Sequence, residues 1–370
     1  MNGRRQFLKA ISSSSLVASS RGISTVVDSI TLGDGSTPFR WPKPIGSPVL
    51  ESLRPAIEHS RDVFTHFEKI VEVAGWMGYE ELAMPVYPIP TGVKSNDPQD
   101  VVDLILVANS IDTAFSDFTT HVKFQVDYEG QHWSDSDAMF ACLNRAMNKG
   151  VPILDGKFLA KVTRPELEEI FAGNIEMPML DEKLEVLHQV GSVLAEKYDG
   201  RFHNFVKSCP PLLYDAGNGL VERMAREFPR FNDVSQYHGQ EIKFYKLAQL
   251  GLWFAYATYP KSGPVRLNDV AKMTTFPDYI VPVALRLLGI NSYSPALEHA
   301  IDSYQFIPRN STQEVEIRAH SVYATALLRE EINKVRPSDR RVIIPQVNER
   351  LWTHYHTTSW PHHLTRTIMY

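Results

Sequence analysis

Cysteine is nearly absent: there are two in 370 residues, Cys142 and Cys209. Two thiols cannot build a disulfide framework or a four-thiolate zinc site, so both are expected to be buried thiols, and the redox compartment stays open. Long apolar runs are missing too. The best, around Leu250 to Tyr259, is half of the roughly 20 residues that a membrane-spanning helix needs, so no membrane association is expected. A cationic surplus is also missing. Lys and Arg number 38 against 43 Asp and Glu, for a net charge of −5, whereas a protein that grips long nucleic acid displaces counterions with concentrated cations. Stable nucleic-acid binding is therefore not expected, while a local basic pocket for one phosphate is compatible with the balance. No Gly-rich phosphate loop, nucleophile elbow or His-Glu-x-x-His occurs. Hydrophobic residues make up 43% and charged residues 22%, so wholesale disorder and coiled-coil readings fall away.

What is present begins with a serine-rich start that carries Arg4, Arg5, Lys9 and Arg21 and no acid before Asp28. Arg4-Arg5-Gln6-Phe7-Leu8-Lys9 looks like a twin-arginine export pattern. The stretch that follows, however, is interrupted by serines and lacks a small-x-small cleavage site. Organelle transit and simple disorder suit the same composition. Residues 1–47 are thus read as a disordered or targeting segment and 48–370 as one domain. The expected location is cytoplasmic, with export or organelle transit as the alternatives.

Beyond residue 48 the punctuation is mostly helical, which gives a mainly α class. Pro48 to Ser60 and Phe67 to Gly78 carry apolar residues at three- and four-residue spacing. Val101 to Val107 reads as a buried strand or short helix, and Lys123-Phe-Gln-Val-Asp-Tyr128 before Glu129-Gly130 reads as a small strand or hairpin. Thr163-Arg-Pro-Glu166 is a capping box. Asp181 caps a helix that ends near Gly200, Glu241 to Tyr259 is a helix apolar nearly all round, and Gln313 to Arg336 is a long one.

Three constellations can carry chemistry. Asp278, in Thr275-Phe-Pro-Asp-Tyr-Ile-Val-Pro282, lies between aromatics at the mouth of a helix, where it can cap the helix or stabilise a cation. Lys246, in Phe244-Tyr-Lys-Leu-Ala-Gln249, sits in an apolar helix. It either pairs with an acid, Glu314 or Glu316 with Arg318 being candidates for that network, or awaits an anion such as phosphate. The tail Leu351-Trp-Thr-His-Tyr-His-Thr-Thr-Ser-Trp-Pro-His-His363 gathers four histidines, but no acid or cysteine accompanies them at zinc-like spacing. An aromatic pocket wall is the competing reading, and no metal is expected.

These segments, in this order, resemble the queuosine salvage family of queuosine 5′-phosphate N-glycosidases. The matching residues are Glu58-His59-Ser60, His132-Trp133-Ser134, Cys142-Leu-Asn-Arg145 with Gly150, Phe244 to Gln249, Phe276-Pro-Asp-Tyr279 with Val281-Pro282, Glu314-Val-Glu-Ile-Arg318 and Leu351-Trp352. The resemblance implies a compact helical fold related to helix-hairpin-helix DNA glycosylases. It also implies hydrolysis of queuosine 5′-monophosphate to queuine and ribose 5-phosphate, a small-molecule substrate and no cofactor. On that reading Asp278 stabilises the oxocarbenium-like sugar, activates water or attacks covalently, Phe276 and Trp133 stack on the base, and His59 orients it or donates to it. Lys246 and Arg318 take the phosphate, and Tyr279 and His354 line the pocket. Two positions that are acidic in eukaryotic members fall on Thr353 and Thr357, so Asp112, Asp117 or another acid would have to meet the cationic amine of queuine. The competing functions are a noncatalytic deazapurine binder, an N-glycosidase for a different modified purine nucleotide, and a DNA or RNA glycosylase.

Overall fold

Proline, serine, threonine and aspartate start many of the helices. Pro98 opens the helix Pro98–Ser110, and Asp97 accepts from the Gln99 N–H at 2.9 Å. Ser294 caps Pro295–Asp302, Ser311 caps Thr312–Val335, and the Thr163–Glu166 capping box opens Arg164–Ile170 as its sequence requires. The computed structural model describes residues 40–87, 97–260 and 263–370. Within these, fifteen helices and three two-stranded antiparallel ladders make a mainly α protein. Pro42–Tyr370 forms one compact unit, with Ser47 fully buried inside it. The basic, serine-rich start lies outside the described residues.

Three helices make up the centre. Pro98–Ser110 buries ten residues on all sides and packs on Lys246–Thr258. Their approach is close because Gly251 faces Asn109: a Cβ there would fall 2.5 Å from the Asn109 amide, which itself donates to the Leu247 carbonyl at 2.7 Å. Thr312–Val335 packs against Phe67–Met77, Ile280–Leu287 and Ile344–Tyr355. Beside it, Val63–Thr65 pairs with Asn291–Tyr293.

Of the two readings open for Val101 to Val107, the helix holds, within Pro98–Ser110, and the expected hairpin forms as Gln125–Tyr128/Gln131–Ser134, turned by Glu129 and Gly130 at φ +51° and +71°. One local expectation is corrected. The helix expected from Glu241 begins only at Lys246. Gln240–Lys243 instead pairs with Val234–Tyr237 across a turn at His238 and Gly239, because alternation over Gln240 to Lys243 overrides the apolar helical pattern that follows. No helix among the described residues is long and apolar enough to cross a membrane.

After Tyr355 the chain returns into the unit. Leu364 accepts from the Ile307 N–H at 2.8 Å, and the Thr113 hydroxyl bonds the Thr367 and Tyr370 carbonyls at 2.8 and 3.0 Å. The last side chain, Tyr370, is buried.

Candidate active site

Residues Thr274 to Asp278 lead into the helix Ile280–Leu287, and neighbouring side chains hold this segment residue by residue. Gln249 bonds Thr274 in both directions, accepting from its N–H at 2.9 Å and donating to its hydroxyl at 3.0 Å. Asn348 accepts from the Phe276 N–H at 3.0 Å. Arg318 donates to the Pro277 carbonyl at 3.2 Å. Asp278 then caps the helix, its Oδ1 accepting from the Ile280 and Val281 N–H groups at 2.8 and 3.0 Å. The capping role read from the sequence is thus real, and it occupies one carboxylate oxygen.

Asp278 lies within electrostatic reach of Lys246 and Asp112. Burial raises its carboxyl above the ordinary aspartate range, opposed by the Lys246 charge and the two N–H groups, while Asp112 adds to the rise. Lys246 is nearly buried, and its ammonium has no ion pair or hydrogen bond among the described residues; its backbone N–H donates to Asp233 at 3.2 Å. The Lys–Glu pairing considered for it does not form, because Glu316 and Arg318 are committed elsewhere. Asp112 likewise has no side-chain partner among the described residues.

Tyr279 completes the group. Burial pushes its phenol well up, and the charges of Asp278, Asp135 and Asp112 push it further. Its ring packs against His362, with centroids 4.5 Å apart. Two carboxylates, an ammonium, a phenol and an imidazole from four separate stretches of chain are thus linked to one another, by electrostatic reach or by the Tyr279–His362 ring contact. An unneutralised ammonium beside a carboxylate with a free oxygen suits a small ligand that carries both an anionic group and a centre of developing positive charge.

Other residues expected at the site have partners or surroundings of their own. Arg318 is 1% exposed and its guanidinium is already engaged: it is bidentate to Asp233, at 3.0 and 2.5 Å, and lies between the rings of Phe244 and Tyr370. Its sequence looks like that of an anion ligand because a buried Asp partner 85 residues away leaves no local trace. Phe276 is buried within the loop that carries Asp278. His59 is exposed and edge-on to His238. Trp133 is buried, with its indole N–H on the Tyr128 carbonyl. Thr353 contacts Glu349, His354 and Thr357 are exposed, and Asp117 caps its own loop through Thr119 and Thr120. No hydrogen bond, ion pair or ring contact among the described residues ties His59, Trp133, Thr353, His354 or Thr357 to Asp278.

The remaining motifs make contacts within the protein. Arg145 binds the Ile170 and Ala172 carbonyls. Glu316 gathers the N–H groups of Arg61, Asp62 and Val63 with the hydroxyls of Ser60 and Tyr237. The tail histidines disperse: His356 stacks on Trp352, His362 on Tyr279, and His363 bonds the Tyr370 hydroxyl. Among the described residues, no group of three or more His, Cys, Asp or Glu is placed to hold a metal ion. Sequence reasoning did not single out Asp233, Asn348 or His362. Only His362 had a signal, as one of the tail cluster.

The chain is similar to several known proteins. A family model described as queuosine salvage protein matches residues 92–370. A protein of Sphaerobacter thermophilus named queuosine 5′-phosphate N-glycosylase/hydrolase is 31% identical over 87% of this chain and 97% of its own length. Proteins of the same name from Bos taurus and Schizosaccharomyces pombe are 28% and 27% identical, over 76% and 71% of this chain and 83% and 75% of theirs. This chain belongs to the queuosine salvage protein family.

Proposed function

We propose that the protein hydrolyses the N-glycosidic bond of queuosine 5′-monophosphate, releasing queuine and ribose 5-phosphate. The observation that carries this reading is the Asp278 carboxylate, fixed through one oxygen at a helix mouth, with the unpaired Lys246 ammonium within its electrostatic reach. As the C1′–N bond lengthens, positive charge grows on the sugar, and a carboxylate already held in place stabilises it without reorganising. Lys246 takes the 5′-phosphate as a charge-assisted partner. Asp112 faces the cationic amine of the base, and Tyr279 walls the pocket. Arg318 acts from behind, by holding Pro277.

The helical frame, with an acid at a helix mouth, is consistent with kinship to helix-hairpin-helix glycosylases. The deficit of cations supports a free nucleotide over a nucleic acid as substrate, and a cytoplasmic site of action goes with salvage of a free nucleotide. In this reading residues 1–47 precede a single catalytic domain, 48–370. Incubation of the purified chain with queuosine 5′-monophosphate, read by mass spectrometry, should release queuine. Asp278→Asn should abolish release while leaving the thermal unfolding transition in place. Stoichiometric binding without turnover would instead favour a carrier of deazapurines.

A further inference from the structure

His362 lies in the irregular tail and reaches the site only because residues 356–370 fold back into the unit. Its ring packs on Tyr279 with centroids 4.5 Å apart and planes inclined at 33°. Its Nδ1 is 2.9 Å from the His363 carbonyl oxygen. A carbonyl can only accept, so Nδ1 carries the hydrogen, and on a neutral ring Nε2 holds a lone pair. Nε2 has no hydrogen-bond partner among the described residues, and the side chain is only half-buried.

The charged groups around the ring favour this form. Burial lowers His362 below the ordinary histidine range, and His121 and Lys123 lower it further, against the His363 carbonyl bond and Asp278, which raise it. Tyr279, the remaining titratable group against the ring, stays an uncharged phenol. Hydrolysis needs an acceptor for a proton of water, and Asp278 is poorly supplied to be that acceptor as well. Its Oδ1 is occupied by two N–H groups, and Oδ2 is needed beside the anomeric carbon.

We propose that His362 is a further catalytic residue, whose Nε2 accepts a hydrogen bond from the attacking water and takes its proton. As the C1′–N bond breaks, its electron pair leaves with the base and the water oxygen bonds C1′. One water proton passes to Nε2, from which it returns to solvent, and the departing base takes up one proton. No other reactant is required. The inference rests on the glycosidase reading above.

His362→Phe keeps a flat ring against Tyr279 and removes the acceptor; His362→Gln keeps an acceptor that cannot hold the proton. With queuosine 5′-monophosphate, the Phe variant should lose about 100-fold in kcat, the scale of a missing general base, with KM within about threefold of wild type. The Gln variant should recover part of that loss. Equal losses in kcat at an unchanged unfolding midpoint would assign the whole effect to proton transfer and also support the proposal. A Phe variant with wild-type kcat, a loss confined to KM, or equal losses accompanied by a lowered midpoint would overturn it. If wild-type protein releases no base, the glycosidase reading fails. If wild type is active, Asp278→Asn is dead and His362→Phe is fully active, only the role of His362 fails.

Discussion

Replacing Arg318 separates two accounts of the same residue. As a phosphate ligand, Arg318 would affect KM and little else. The structure gives it a different occupation: two bonds to Asp233, one to the Pro277 carbonyl, a 3.5 Å contact with Glu314 and ring faces on both sides. Arg318→Met would keep most of the volume and remove the cation. Asp233, itself 1% exposed, would then be left as a buried carboxylate whose remaining hydrogen bond among the described residues is from the Lys246 N–H. Glu314, already raised by burial, would lose the opposing charge that restrains it.

Breaking a buried pair from one side costs about 3–5 kcal/mol, a large part of a typical stability of roughly 5–15 kcal/mol. Function should fall as well, because Pro277 precedes Asp278 and Asp233 caps the N–H of Lys246, so both ends of the site lose their anchor. A displacement on the order of 1 Å at reacting groups costs about 100-fold in rate. Urea unfolding of wild type, Arg318→Met and Arg318→Lys gives the first quantity, and kcat and KM measured below the transition give the second. Lysine keeps the charge but cannot form the fork, so it should fall between the other two. A stable Arg318→Met protein, less than about 1 kcal/mol below wild type and with only KM raised, would refute the structural account and restore the phosphate role.

Two further outcomes follow from neighbouring groups. Lys246→Met should raise KM for the 5′-monophosphate roughly 10- to 100-fold, the worth of one charge-assisted hydrogen bond, and leave KM for the unphosphorylated nucleoside unchanged; steady-state kinetics on the pair checks it. Lys183 is buried on the carbonyls of Thr113, Ala114 and Pro178, and burial, with the Arg230 charge, lowers its ammonium to about 7. Its unfolded value is about 10.4. Between the two the unfolded chain binds the extra proton, so this group makes stability rise with pH from about 7 to about 10. Urea midpoints across that range should climb less steeply in Lys183→Met than in wild type.

Legibility in the sequence followed the range of the interaction. The Thr163 capping box, the turn at Glu129-Gly130 and the cap formed by Asp278 are each settled within a few residues, and each could be read directly. The long helix Thr312–Val335 was legible from its periodicity. The helix at Pro98–Ser110 was ambiguous because it is buried all round, so no polar face marks its period. Around Asp278, the nearness of the Lys246 and Asp112 charges was not legible, nor were the partners that hold Arg318 and Trp133, since both depend on how distant segments pack.

The motif Glu314-Val-Glu-Ile-Arg318 shows why chemical type was a poor guide there. All three of its charged side chains are buried, and two of them, Glu316 and Arg318, tie down segments far away in sequence. Glu316 organises Ser60 to Val63, Glu314 accepts from the Asn310 N–H and faces Arg318, and Arg318 reaches Asp233 and Pro277. A charge inside a protein is tolerated when its hydrogen-bonding capacity is used up, and one whose capacity is used up has nothing left for a ligand. Lys246 and Asp112 differ from Arg318 in this respect: their charged ends have no hydrogen-bond or ion-pair partner among the described residues. Partner count, more than residue identity, sorts the frame of this molecule from its site. By the same criterion His362, with one ring nitrogen committed and the other open, belongs with the site.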